Sequence, residues 1–294
     1  MRAADSKLAL RTTWLATKAA AVVSPRLAGP LAARLWFTPW RVPVSERAAE
    51  RQAQWLAPTE PVSFRVEGRR VAGYAAGDGP VVVLVHGWGE RGASLGAFVG
   101  PLVESGFRVV GVDLPGHGES EGGQSDGFQI AAAIREVCEQ IGDVAAVVAH
   151  SMGATTSMYA ASDGLEVDAL VLLAPSPRLD NALVTFGRIF RLSDRALRGL
   201  KARIERKYGR GVWGVFSGPR IASNLRIPGL IVHDCDDPQV SVDDARGLHR
   251  AWAGSQLVTT EGLGHARILR DPRVIKEVTT FLSEALSPAT GATA

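Results

Sequence analysis

From residue 81 to residue 260 the chain alternates short continuous apolar runs with segments of helical periodicity. The runs occupy 81–85, 107–112, 144–149, 170–174, 230–232 and 257–260. They are too short for helices, and the longer ones lack polar alternation, which suits strands buried on both faces. Helical patterns fill 94–105, 129–141, 152–162, 242–252 and 272–286. Strands separated by helices at this spacing predict a mostly parallel sheet covered by helices on both faces. Upstream, 62–66 and 69–75 flank Glu67-Gly68 as a hairpin, and Gly77-Asp78-Gly79-Pro80 is a turn.

One interval breaks the alternation. Fifty-five residues separate the run ending at 174 from the one starting at 230. They carry helical patterns over 182–190 and 194–208, so 176–224 is predicted as a helical cap over the carboxyl edge of the sheet, where ligands of open α/β sheets bind. The resulting division is an N-terminal helical arm at 1–60, a core at 61–175 and 225–288, the cap at 176–224, and a tail at 289–294.

The net charge of +3 conceals an asymmetry. Residues 1–45 hold seven Lys/Arg and one acid, and 176–220 hold eleven Lys/Arg and three acids. No nucleic-acid-binding signature accompanies these basic segments, so no nucleic-acid partner is expected. Leu8, Leu15, Ala19 and Val22 recur at helical spacing, as do Leu31, Leu35 and Trp36, with Pro25 and Pro30 expected to break the run. Arm and cap could each touch an anionic membrane surface, and packing of the arm on the domain is the plainer reading. Arg11 and Lys18 interrupt the apolar stretch 8–23, so a secretory core is not expected and a cytoplasmic location follows, with the inner membrane face as the peripheral alternative. Cys138 and Cys235 make no disulfide framework and read as small buried apolar residues, with a chance pair as the alternative.

The segment that carries chemistry is 144–153, VAAVVAHSMG. An apolar strand runs directly into Ala149-His150-Ser151-Met152-Gly153, and a helix follows. A serine on so tight a strand-to-helix turn needs small residues two positions before and after it. The turn raises the Ser151 hydroxyl above the sheet and aims the Met152 amide, at the helix N-terminus, at a developing oxyanion. The run 81–85 ends in His86-Gly87-Trp88-Gly89, which places the Trp88 amide at the same edge as a second donor and lets Gly87 approach the substrate. His150, next to the nucleophile, is expected to line the substrate pocket with Gly87. His86 and His117 read as loop-shaping residues, His233 as the end of a strand, and His249 as a surface or interface group on a helix. No metal-ligand spacing, Walker lysine or dinucleotide fingerprint is present, so no metal or cofactor is expected.

The stretches HGWG (86–89), VDLPGHGES (112–120), AHSMGA (149–154), HDCDDPQV (233–240) and GLGHARIL (262–269) resemble, in this order, the α/β-hydrolase fold family of esterase/lipase-like serine hydrolases. The resemblance spans about residues 62–286 and leaves the arm outside it. Ala149 departs from the glycine usual at its position. The resemblance implies an acid after the strand at 230–232, three residues before Val240. That selects Asp237, with Asp236 as runner-up and Asp234 as a turn cap. It also implies His265 as general base, delivered by Gly262-Leu263-Gly264. The implied function is cleavage of a small-molecule carboxylic ester, or a related acyl bond, through an acyl-enzyme on Ser151. Acyl transfer uses the same intermediate. Peroxidase-like and carbon–carbon-cleaving relatives also keep the serine, and a non-catalytic binding protein on this scaffold is the remaining alternative. Relatives that open epoxides carry a carboxylate at the elbow, where this chain has Ser151.

Overall fold

One eight-stranded sheet organises the molecule, with strand order β1-β2-β4-β3-β5-β6-β7-β8. The computed structural model describes residues 25–40, 44–176 and 178–287. The expected helix through 8–22 and the tail lie outside them. β1 (Glu60–Val66) and β2 (Arg69–Ala76) form the antiparallel hairpin. Its two-residue turn puts Glu67 at φ 47° and Gly68 at φ 76°, the twist that tight hairpins require. β2 pairs antiparallel with β4 (Arg108–Val112). β3 (Val81–Val85), β4, β5 (Val144–His150), β6 (Ala169–Leu173), β7 (Gly229–Asp234) and β8 (Ser255–Thr260) run parallel.

The pleat sends alternate residues of β3 to opposite cores. Val83 and Val85 pack with Ile130, Ile134 and Met158, whereas Val82 and Leu84 pack with Phe98, Leu102 and Phe281. Both faces are therefore apolar, and the strands read as unbroken hydrophobic runs. The helix expected over 94–105 is instead a 3₁₀ segment, Gly92–Phe98, followed by an α-helix, Val99–Glu104. A single helix from 94 would bury Pro101 in its interior. Starting at Val99 puts Pro101 in the first turn, where its missing N–H costs nothing.

At the other end of the chain, α1 (Pro25–Phe37) and α2 (Glu46–Leu56) precede the sheet. Pro25 and Pro30 do not break α1. Pro25 opens it, where proline fits, and Pro30 lies inside it. The lost hydrogen bond at Pro30 is offset by packing. Gly29 meets Gly199 of the cap so closely that a Cβ on Gly29 would lie 3.1 Å from the Gly199 Cα. Ala32, Ala33 and Leu35 join Leu183, Phe186, Leu200 and Ile204 in a separate apolar cluster. α1 therefore packs on the helix that carries Gly199, whereas α2 packs on the core, with Trp55 and Leu56 against Gly96.

The segment expected to form the cap holds the helices Leu179–Ile189, Asp194–Tyr208, Val212–Val215 and Gly218–Ala222. Two carboxylates tie it to the core: Asp244 Oδ2 accepts from Asn181 Nδ2 at 3.2 Å, and Asp126 makes the more extensive contact. Asp126 caps the helix Gly127–Ile141 through Oδ1, while its Oδ2 accepts from Lys207 Nζ at 3.1 Å and Tyr208 OH at 2.5 Å. Cys138 is buried as expected, but Cys235 is exposed. It lies just past the end of β7, beyond the strand's buried face.

Candidate active site

β5 ends at His150, and the helix Met152–Ser162 begins one residue after Ser151. Ser151 is left at φ 52°, ψ −119°, a conformation costly for a residue with a side chain. Its amide donates to the Leu173 carbonyl at 2.9 Å, which anchors the turn to β6. The space around it is minimal. A Cβ on Gly153 would lie 2.3 Å from the His86 carbonyl oxygen. Ala149 is wholly buried, so its methyl group is accommodated where glycine is usual.

His265 reaches Ser151 from the loop after β8. Gly262 and Gly264, at φ 74° and 62°, turn the chain back over the sheet edge. Asp234 fixes that loop. Its buried carboxylate accepts from the amides of Asp236, Leu263 and Gly264 and from the Thr260 hydroxyl. Burial raises its pKa, but these donors outweigh burial and hold it below the usual carboxylate range. It therefore does more than cap a turn, because it braces the segment that carries the imidazole.

The Ser151 hydroxyl lies 3.0 Å from His265 Nε2, and His265 Nδ1 lies 2.6 Å from Asp237 Oδ2. The carboxylate can only accept, so Nδ1 donates and Nε2 is left to accept from serine. The other Asp237 oxygen accepts from the amides of Gln239 (2.7 Å) and Val240 (3.1 Å). Burial raises the Asp237 pKa, but the His265 hydrogen bond and charge, with those amides, bring it below the ordinary value. Asp236 does not face the imidazole. Its Oδ2 accepts from the Gly262 amide at 2.8 Å.

These groups open onto a cavity of about 800 Å³. Gly87, Trp88, Ser151, Met152 and His265 lie on its wall, with Trp36, Trp40, Phe128, Phe186 and Phe216 forming an aromatic interior. Among the described residues, no protein group takes the amides of Trp88 or Met152. His150 is not on the wall. It is fully buried behind the serine. The pleat explains this correction, because at the end of β5 the side chain before the elbow turns into the protein while Ser151 projects upward.

The remaining histidines are structural. His86 donates from Nδ1 to the Gly87 carbonyl, and its Nε2 accepts from the Leu114 amide. His117 meets the Pro115 carbonyl, and burial lowers its pKa to about 3. His233 donates from Nε2 to the Val240 carbonyl, and exposed His249 pairs with the Ser255 hydroxyl.

Two functional features escaped the sequence reading. Glu90, directly after HGWG, holds the Gly87 amide at 2.9 Å and His150 Nδ1 at 3.0 Å. An acid flanking a glycine loop was the available signal. The second is α2, whose Arg51 and Trp55 line the cavity. Ser45, which accepts from the Ala48 amide as N-cap, followed by a run of good helix formers, was its signal.

The alpha/beta hydrolase fold family model matches residues 80–201, and the TAP-like protein model matches 212–294. The chain is 38% identical over 105 residues to the pimeloyl-[acyl-carrier protein] methyl ester esterase of Methylococcus capsulatus, covering 35% of this chain and 40% of that protein. It is 31% identical over 121 residues to the soluble epoxide hydrolase of a Corynebacterium species, covering 40% and 42%. The chain thus spans about two fifths of the length of these relatives. A Pyrococcus furiosus esterase structure superposes with a TM-score of 0.64 at 17% identity, covering 85% of this chain and 97% of that one. At that identity the likeness is one of fold.

Proposed function

Because the chain belongs to the α/β-hydrolase fold family, we propose that it is a serine hydrolase that cleaves a carboxylic ester through an acyl-enzyme on Ser151. The observation that carries this reading is the unbroken chain Ser151–His265–Asp237, with contacts of 3.0 and 2.6 Å, at the wall of a large apolar cavity.

In the proposed mechanism, Ser151 Oγ attacks the ester carbonyl as its proton passes to His265 Nε2. Asp237 holds the ring in the required tautomer and stabilises the resulting cation. The carbonyl oxygen becomes an oxyanion facing the Trp88 and Met152 amides, each worth about 3–4 kcal/mol in such a site. Collapse breaks the bond to the alkoxy group, which leaves with the proton from Nε2. Water then gives its proton to His265 and attacks the acyl-enzyme. The second tetrahedral species expels Ser151, which recovers the proton, and the acid departs.

The test is hydrolysis of p-nitrophenyl esters by chain length. Wild type should turn over at least one member, and Ser151→Ala should lose turnover while remaining folded. No turnover across the series by folded wild type would reject the reading.

A membrane contact through the cap is favoured by a separate observation. On the cap helix Leu179–Ile189, Val184 and Ile189 are 57% and 54% exposed and flank Arg188. Apolar side chains among arginines suit an anionic lipid surface. Among the described residues no helix is long and apolar enough to cross a membrane. Co-sedimentation with phosphatidylserine vesicles, reduced in Val184→Ser/Ile189→Ser, is the expected result, and wild type left in the supernatant contradicts it.

A further inference from the structure

The cavity wall carries two arginines that the hydrolytic reading leaves without a role. Arg51 comes from α2 and Arg270 from the segment Ile268–Arg270 just beyond His265. Most other charged wall groups are satisfied within the protein; Glu119, an exposed acid on the same wall, is the exception. Glu90 meets His150, Asp126 meets Lys207 and Tyr208, and Arg178 meets Asp180. Arg91 donates twice to Gln52.

Arg51 and Arg270 differ. Among the described residues neither has a counter-charge, and Arg51 Nε is buried with no acceptor. A buried guanidinium nitrogen without an acceptor calls for an explanation, since leaving a charged donor unpaired is costly. Arg270 is exposed, and partial desolvation, then the positive charges of Arg51 and Arg267, pull its guanidinium below its ordinary pKa. Arg267 offers no relief, as it is itself positive and donates to the Gly262 carbonyl. Like charges have been gathered on the wall that holds Ser151 and His265.

We propose that Arg51 and Arg270 form an anion subsite of the cavity, and that the ester cleaved at Ser151 carries a carboxylate or phosphate group held there. The proposal rests on Ser151 being the nucleophile. Guanidinium forks match both anions in geometry, and a charge-assisted hydrogen bond is stronger than a neutral one. The aromatic interior would take the apolar part of the same molecule.

The experiment compares kcat/KM within matched pairs. One pair sets p-nitrophenyl monoesters of glutarate to suberate against the same diacids capped as methyl esters. The other sets 1-acylglycerol 3-phosphate against 1-acylglycerol. Wild type should favour the charged member of at least one pair by about tenfold or more, chiefly through KM. The pair that responds identifies carboxylate or phosphate. Arg270→Gln and Arg51→Gln should each cut that preference about tenfold, and Arg51→Lys should retain part of it. Equal rates within both pairs for wild type, or a preference that survives in both glutamine variants, overturns the proposal.

Fluorophosphonate labelling of the same proteins separates the two readings. If folded wild type is not labelled, the nucleophile reading fails, and calorimetric titration with inorganic phosphate and with glutarate reads the subsite alone. Binding to wild type that is lost in Arg270→Gln supports it. No binding, or binding unchanged in that variant, overturns it.

Discussion

His150 Nδ1 lies 3.0 Å from Glu90 Oε2, directly behind the serine turn. The other ring nitrogen, Nε2, lies 3.0 Å from the His265 carbonyl oxygen. Both partners are acceptors, so both nitrogens donate, and the buried ring is an imidazolium neutralised by Glu90. The pair joins three parts of the site, because Glu90 also holds the Gly87 amide. Replacing Glu90 with Gln leaves a buried charge uncompensated. We expect a loss of about 3 kcal/mol in denaturant unfolding at pH 6. Unchanged stability would contradict the ion-pair description.

The same pair sets a pH dependence. Burial raises the Glu90 pKa, but His150 and the Gly87 amide outweigh it and bring the value to about 2, against an ordinary 4.5. Its contribution is complete above about 4.5 and is lost as pH falls toward 2. Burial lowers the His150 pKa, and Glu90 more than reverses this, so its net direction is upward from 6.5. That contribution is complete below 6.5 and is lost as pH rises through the elevated value. The pair is therefore fully effective between about pH 4.5 and 6.5. The stability difference between wild type and Glu90→Gln, measured across pH, should peak in this window and shrink on both sides.

The neighbouring carboxylates Asp234, Asp236 and Asp237 should separate by role. Asp237→Asn removes the acceptor that sets the His265 tautomer, and kcat should fall on the order of 10³–10⁴-fold with KM little changed. Asp236→Asn, whose side chain holds the Gly262 amide and not the imidazole, should change kcat less than tenfold. Asp234→Asn should lower stability as well as rate, because it weakens the brace on the loop. Comparable kcat losses in Asp236→Asn and Asp237→Asn would refute the assignment.

Asp126 offers a way to loosen the cap without unfolding the core. Asn is as good a helix N-cap as Asp, so Asp126→Asn preserves the start of its helix while removing the charge that holds Lys207 and Tyr208. Limited proteolysis should cut the cap region faster in the variant, with global unfolding shifted by less than about 2 kcal/mol. Equal cleavage rates would show that the aromatic contacts of the cap suffice to hold it.

Gly153→Ala tests the packing behind the elbow. Its Cβ would enter 2.3 Å from the His86 carbonyl oxygen, so strand and turn must part. We expect about 1–3 kcal/mol of destabilisation and a displaced Ser151, measured as slower fluorophosphonate labelling. Wild-type labelling and stability would mean that the turn has slack.

What could be read from sequence was local or periodic. Strands buried on both faces announce themselves as apolar runs, and the 144–153 turn constrains its own backbone, so β5, Ser151 and the following helix were legible. The partners of His150 were not. Glu90 is sixty residues away in sequence, and only the placement of β3 beside β5 brings them together. The same blindness put His150 on the pocket wall, since adjacency along the chain says little about which way the last residue of a strand points. Pro30 misled because propensity is a local argument, whereas the Gly29–Gly199 contact that sustains the helix is tertiary.

In the proposed mechanism Ser151 is a nucleophile activated by His265. The most direct measurement is intact-mass spectrometry after exposure to a fluorophosphonate, followed by peptide mapping. One stoichiometric adduct on Ser151 is expected in wild type, none in Ser151→Ala, and labelling slowed by at least about a hundredfold in His265→Ala, in line with the contribution of a positioned general base. Folded wild type that stays unmodified, or an adduct mapped to another residue, would contradict it.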